Sequence, residues 1–126
     1  MNVQIKRLTL DMPINIESIN RLNIVLNEGR PVPAIPRSDI REALKNPLFF
    51  MFVVVGDDPN YYLGMASIFF QRNASKWISE IHDVAVDGKA QGFGLGKLIT
   101  KHLMETARQF CGDRNIKLKI SLSSRP

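Results

Sequence analysis

One cysteine, Cys111, stands among the 126 residues, so the chain can form neither an internal disulfide framework nor a cysteine-pair zinc site. No apolar run approaches the ~20 residues that cross a bilayer. The opening MNVQIKRLTLDMP scatters its charges and lacks the apolar stretch and small-residue cleavage site of a signal peptide. A cytoplasmic location without membrane contact is the default expectation. Acidic residues run out late in the chain. After residue 87 only Glu105 and Asp113 oppose eight Lys or Arg, a balance of +6, whereas residues 1–87 balance to −1. A solvated basic face is the plain reading of that asymmetry. The sharper one is a polyanionic partner, either nucleic acid or a small ligand carrying phosphates.

What is present suits one soluble domain over residues 1–126, with 44% apolar and 23% charged residues. No repeat or low-complexity tract interrupts it. VQIKRLTL (3–10) alternates as a strand. INIESINRLNIVLNEG (14–29) has helical spacing at Ile16, Ile19, Leu22, Asn23 and Leu26, and Gly29 suits its stop. Three prolines make 30–39 a loop, after which Ser38 is expected to cap a helix reaching about Asn46, with Asp39 and Glu42 near its N-terminus. FFMFVVVG (49–56) and YYLGMASIFFQ (61–71) read as a hairpin around GDDPN, followed by a strand at WISEIHDVAVD (77–87). Residues 93–111 are expected to be helical, with Leu95, Leu98, Ile99, Leu103, Ala107 and Phe110 on one face. IKLKISLS (116–123) closes as a strand. The predicted order is β-α-α-β-β-β-α-β, an α+β sheet domain whose last strand–helix–strand unit is a parallel crossover.

Three glycines, Gly92, Gly94 and Gly96, precede that last helix, although each would weaken a helix interior. A helix N-terminus exposes unpaired N–H groups and the positive end of the macrodipole, and clearing the side chains in front of it admits an anion. The dinucleotide fingerprint fails here because its third glycine falls on Lys97. The Walker A loop fails because Gly96-Lys97 is followed by Leu98 and its leading glycine is Gln91. A tight strand-to-helix turn needs only one glycine.

The spacing Gln91-x-x-Gly94-x-Gly96, after the strand ending Asp83-Val84-Ala85-Val86-Asp87 and ahead of GLGKLI, resembles the signature segment of the GNAT superfamily of acetyl-CoA-dependent N-acetyltransferases. The resemblance implies a GNAT-like fold, with a mixed central sheet flanked by helices. It implies that the backbone of Val84, Ala85 and Val86 pairs with the pantetheine arm of acetyl-CoA. The amides of Gln91, Gly92, Phe93, Gly94, Leu95, Gly96 and Lys97 would hold the pyrophosphate. Glu80 sits where several family members carry a catalytic glutamate. Family members also continue past the fifth strand into another helix and two strands, with a tyrosine ahead of a Gly-Phe pair. Here Tyr61 and Tyr62 lie upstream, so the domain reads as C-terminally short and no general acid is assigned.

Acetyl transfer needs a neutral amine and a destination for its proton. Glu80 and His82, two apart on a strand and so on one face, are the expected catalytic residues, and the alternative is that both simply face solvent. Asp83 falls on the other face and is expected to anchor a turn. His102 reads as a surface residue. Trp77 with Phe49, Phe50, Phe52, Phe69 and Phe70 reads as core. Arg30 and Arg37 flank a loop that in GNAT members borders the acceptor pocket, and either could select an acidic acceptor or be solvated. The expected function is transfer from acetyl-CoA, without a metal, to a small-molecule or peptide amine. The rival is a module that binds coenzyme A esters with little turnover. A nucleic-acid role ranks last, since the basic segment offers only Phe93 and Phe110 for stacking. An exposed edge at the final strand leads to the expectation of a homodimer.

Overall fold

The computed structural model describes residues 2–112 and the backbone of 117–122. Its elements are β1 (Gln4–Arg7), α1 (Ile16–Leu26), α2 (Arg37–Leu44), β2 (Phe49–Val55), β3 (Tyr62–Arg72), β4 (Lys76–Val86), a short 3₁₀ turn (Gly88–Ala90), α3 (Leu95–Gly112) and β5 (Lys117–Leu122). The order matches the sequence expectation. The five strands form one sheet in chain order. β1 to β4 are antiparallel neighbours, and β5 joins β4 in parallel after the α3 crossover.

Alternation along the strands divides the core into two layers. Phe52, Val54, Ala66, Ile68, Phe70 and Ile81 meet Leu95, Ile99, Leu103 and Ala107 of α3 on one face. On the other, Met51, Val53, Val55, Met65 and Ala85 meet Ile19 and Leu22 of α1 and Ile40 of α2. The aromatic expectation holds in its centre: Phe70 stacks on Phe110 at 3.9 Å between ring centroids, and Trp77 meets Phe110 edge-on at 5.2 Å. Phe49, Phe50 and Phe69 are only half-buried. His102 is exposed as expected, with its ring 4.9 Å from that of Phe52.

Local chemistry sets the helix ends. Asn15 caps α1 by accepting from Ser18 N–H at 3.1 Å. At the other end Gly29 N–H bonds Ile24 C=O and Glu28 N–H bonds Val25 C=O, with φ at +61° for Glu28 and +78° for Gly29. This is a Schellman stop whose left-handed residue is Glu28, with glycine following. The expected Ser38 cap is not what starts α2. Pro36 is the N-cap, without a side-chain bond, and its carbonyl accepts from Asp39 and Ile40 N–H at 3.0 and 3.4 Å. With φ −67° and ψ 147° Pro36 is still extended, as an N-cap residue is, and its lack of an N–H costs nothing at a helix start.

α3 begins at Leu95, two residues later than its periodicity suggested. Gly92 and Gly94 hold φ of +90° and +74°, outside the right-handed helical region, and the first helical bond runs from Leu98 N–H to Gly94 C=O at 3.0 Å. Leu98 is a second correction. The buried stripe is Leu95, Ile99, Leu103, Ala107 and Cys111 at four-residue spacing, while Leu98 is 40% exposed on its flank.

Candidate functional site

β4 is paired on both sides along its first half. β5 accompanies it from Lys76↔Lys117 to Ile81↔Leu122, and among the described residues 82–86 pair with β3 alone. Within that half lies a β-bulge, since Ser67 faces His82 and Met65 faces Ala85, so Ala66 opposes both Asp83 and Val84. Asp83 takes φ +59° and is exposed, so it forms the bulge rather than anchoring a turn on the far face. The extra residue lets both His82 and Ala85 face α1. Asp87 N–H bonds Leu63 C=O at 2.8 Å, so by alternation the Val86 and Val84 peptide groups turn away from β3. Val86 C=O, so directed, accepts from Gln91 Nε2 at 3.4 Å.

The glycine loop follows at once. Cβ atoms added at Gly92 or Gly94 would meet nothing within 4 Å, and one at Gly96 would reach only a Val86 methyl at 3.9 Å. The space before the helix is therefore open. The amides of Leu95, Gly96 and Lys97 precede the first acceptable i→i−4 donor and lack intrahelical acceptors. A groove of about 520 Å³ joins this N-terminus to β4, lined by Val84, Gly96, Lys97, Thr100, Lys101, Met104 and Arg108. Three cations thus flank an apolar floor. The sequence reading took Lys97 and left Lys101 and Arg108 unassigned, although their spacing of four and eleven residues from Lys97 marks one helix face.

Glu80 and His82 lie on the α1/α2 face, as their spacing required. Their Oε2 and Nε2 atoms are 2.9 Å apart, with both side chains partly open at 40% and 37% exposure. An ionised carboxylate can only accept, so in that state Nε2–H donates and Nδ1 is left as the acceptor nitrogen of a neutral ring. Glu80 stands opposite Phe69, and Phe69 opposite Phe49, in one row across the sheet. Phe49 and Phe69 line a second groove, of about 460 Å³, together with Asp39 and Glu42 of α2. Arg30 is exposed beside Glu28, and Arg37 donates to Ile14 C=O at 3.4 Å.

Sequence reasoning missed the buried charge between these two regions. Asp87, 5% exposed, accepts from Lys89 N–H on Oδ1 at 2.8 Å, and from Arg21 Nε–H and Tyr61 O–H on Oδ2 at 2.9 and 2.6 Å. Burial opposes its ionisation, but these hydrogen bonds and the Arg21 charge together hold the carboxyl below its ordinary value. The same bond to Asp87, followed by desolvation, raises the Tyr61 phenol above its ordinary value. An aspartate just before a glycine-led turn is a capping signal. Its partners, Arg21 on α1 and Tyr61 just before β3, carry no sequence signal at all.

Among the described residues no group of three or more His, Cys, Asp or Glu is placed to hold a metal ion, and no helix is long and apolar enough to cross a membrane.

β4 runs into a glycine-fronted helix N-terminus, and comparison with known proteins identifies the family to which this fold belongs. The acetyltransferase (GNAT) family model matches residues 17–126, and the chain belongs to that family. An aminoglycoside acetyltransferase from an uncultured soil metagenomic sample superposes with TM-score 0.72 at 21% identity, covering 98% of this chain and 78% of its own. An acetyltransferase of Trypanosoma brucei gives TM-score 0.74 at 21% identity over 98% and 84%. Glucosamine-6-phosphate N-acetyltransferase from Arabidopsis thaliana gives 0.72 at 15% over 99% and 84%. At such identities these likenesses establish the fold. A comparison with curated protein sequences finds no match.

Proposed function

We propose that this chain transfers an acetyl group from acetyl-CoA to a primary amine of a small molecule or peptide. The observation that carries the reading is the meeting of the β4 edge at Val84–Val86, which among the described residues pairs with β3 alone, with the open N-terminus of α3. The Val84–Val86 backbone suits an extended amide-bearing arm, which would add like a strand. The loop Gln91, Gly92, Phe93, Gly94, Leu95, Gly96 and Lys97 suits a pyrophosphate, and Lys97, Lys101 and Arg108 supply the positive field around it. When bound, acetyl-CoA supplies the thioester carbonyl that the amine attacks.

Glu80 and His82 stand on the acceptor side of this scheme. Glu80 takes the amine proton directly or through water, and His82 either orients it or receives the proton on Nδ1. The carboxylate of Asp39 on the neighbouring groove favours an acceptor that arrives as an ammonium ion, while Glu42 there is paired with Lys45 at 3.2 Å. Two neighbours in fold are named for amine-bearing compounds, an aminoglycoside and glucosamine-6-phosphate, which supports an amino group as acceptor.

The test is a thermal-shift titration with acetyl-CoA, then a panel of amines with detection of the released thiol. Stabilisation together with amine-dependent thiol release is the expected result. Stabilisation without thiol release from any amine would leave a coenzyme A ester-binding module, and no stabilisation would overturn the reading.

A further inference from the structure

Asp87 carries a buried carboxylate that the chemistry above does not use, and every polar group it has is committed. Its N–H and side-chain Oδ2 tie it to the body of the protein, through Leu63 C=O at 2.8 Å, Arg21 Nε at 2.9 Å and Tyr61 O–H at 2.6 Å. Its C=O and Oδ1 tie it forward to the loop, through Ala90 N–H at 2.9 Å and Lys89 N–H at 2.8 Å. Arg21 is itself held from several sides. It donates to Tyr62 C=O at 2.6 Å and to Ser18 Oγ at 3.3 Å, and its guanidinium lies 4.0 Å over the Tyr61 ring. Ser18 and Arg21 are three apart on α1 and so share a face.

Beyond Ala90, which is fully buried, the loop has few anchors. Gln91 holds Val86 C=O, Gly92 and Gly94 adopt left-handed φ, and Phe93 is 58% exposed. The position of residues 91–94 is thus set by where α3 starts and by where Asp87 releases the chain from β4.

We propose that Arg21, Tyr61 and Asp87 are positioning residues for the 88–97 loop: Arg21 of α1 and Tyr61, just before β3, clamp Asp87, and Asp87 fixes the path of the phosphate-binding segment. The inference rests on the reading of that loop as a cofactor cradle. An asparagine at 87 would turn its NH2 group toward either Arg21 Nε–H or Lys89 N–H, both of which only donate, so Asp87→Asn breaks the clamp on one side without changing side-chain size. Tyr61→Phe removes one hydroxyl and keeps the ring under Arg21.

Two measurements decide it. Calorimetry with coenzyme A is expected to show affinity lower by about tenfold in Asp87→Asn and about threefold in Tyr61→Phe, while kcat at saturating acetyl-CoA and KM for the amine stay within about twofold of wild type. Hydrogen exchange on the free protein is expected to show faster exchange at the amides of Lys89 and Ala90 in both variants, with the middle of α3 unchanged. Folded variants with wild-type exchange at Lys89 and Ala90, or with wild-type affinity, would overturn the inference. A loss confined to kcat would do the same. If Asp87→Asn does not fold, Tyr61→Phe decides by the same two readouts. Should the wild-type protein bind no coenzyme A, the functional reading fails, and the exchange data still decide whether Asp87 positions the loop.

Discussion

Glu80 and His82 place Oε2 and Nε2 2.9 Å apart on the α1/α2 face of the sheet, Glu80 opposite Ser121 of β5 and His82 one residue past the last described β5 pair, Ile81↔Leu122. If Glu80 accepts the amine proton, Glu80→Gln lowers turnover by about 10²-fold and leaves acetyl-CoA affinity nearly intact. The residual rate rises with pH as more acceptor is already deprotonated. Wild-type turnover at neutral pH in this variant would remove Glu80 from the reaction, and His82→Asn would then test the imidazole.

Gly94 combines a left-handed φ of +74° with open space in front of it. Gly94→Ala introduces backbone strain of about 1 kcal/mol, whereas Gly94→Asp adds an anion where the pyrophosphate would lie. Coenzyme A affinity is expected to fall by about tenfold more in the aspartate variant than in the alanine one. Equal losses in calorimetry would mean that strain alone matters and that the loop holds no phosphate.

Lys101 lies one turn beyond Lys97 along the same groove, next to Thr100 and Met104. Lys101→Glu is expected to weaken coenzyme A binding severalfold at low salt, with the difference from wild type shrinking at high salt, since exposed charges are screened over about 10 Å at 0.1 M. A salt-independent difference, or none, would place the cofactor's phosphates elsewhere.

The Asp87 clamp predicts a pH signature in stability. Asp87 titrates lower in the folded chain than in the unfolded one, so its contribution is complete above about pH 4 and is lost as pH falls through the folded value. Tyr61 titrates higher when folded, so its contribution is complete below about pH 10 and is lost as pH rises through that higher value. The Tm difference between wild type and Asp87→Asn is therefore widest near neutrality and narrows toward both extremes. Melts recorded from acid to alkaline pH check this, and a constant difference would count against the clamp.

Among the described residues β5 is the last strand of the sheet, hydrogen-bonded to β4 on one side. An edge strand offers its other row of backbone groups to a second chain. Self-association into a homodimer is the expected outcome in light scattering at micromolar concentration. A stable monomer would refute it.

Much of the fold was legible because its signals are local. The dense β-former runs at 49–56 and 61–71 around the GDDPN turn, the four-residue spacing at Leu95, Ile99 and Leu103, and the glycines ahead of α3 are all readable within one short segment. The errors were local contests between signals. Ser38 is a better cap by composition, yet the helix starts two residues earlier, where the extended Pro36 offers its carbonyl to the N–H groups of Asp39 and Ile40. Leu98 has the right polarity for the stripe but the wrong angle about the helix.

The sequence by itself determined which residues could face each other along one element: Glu80 with His82, and the glycines with the helix they precede. Only the tertiary structure decided what meets across elements. It set β5 beside the first half of β4, put a bulge at Asp83 so that His82 and Ala85 share a face, and brought Arg21 and Tyr61 to Asp87. Those contacts span 66 and 26 residues of chain. No periodicity reaches so far, because a hydrogen bond between distant residues depends on how the intervening elements are stacked and not on the spacing within any one of them.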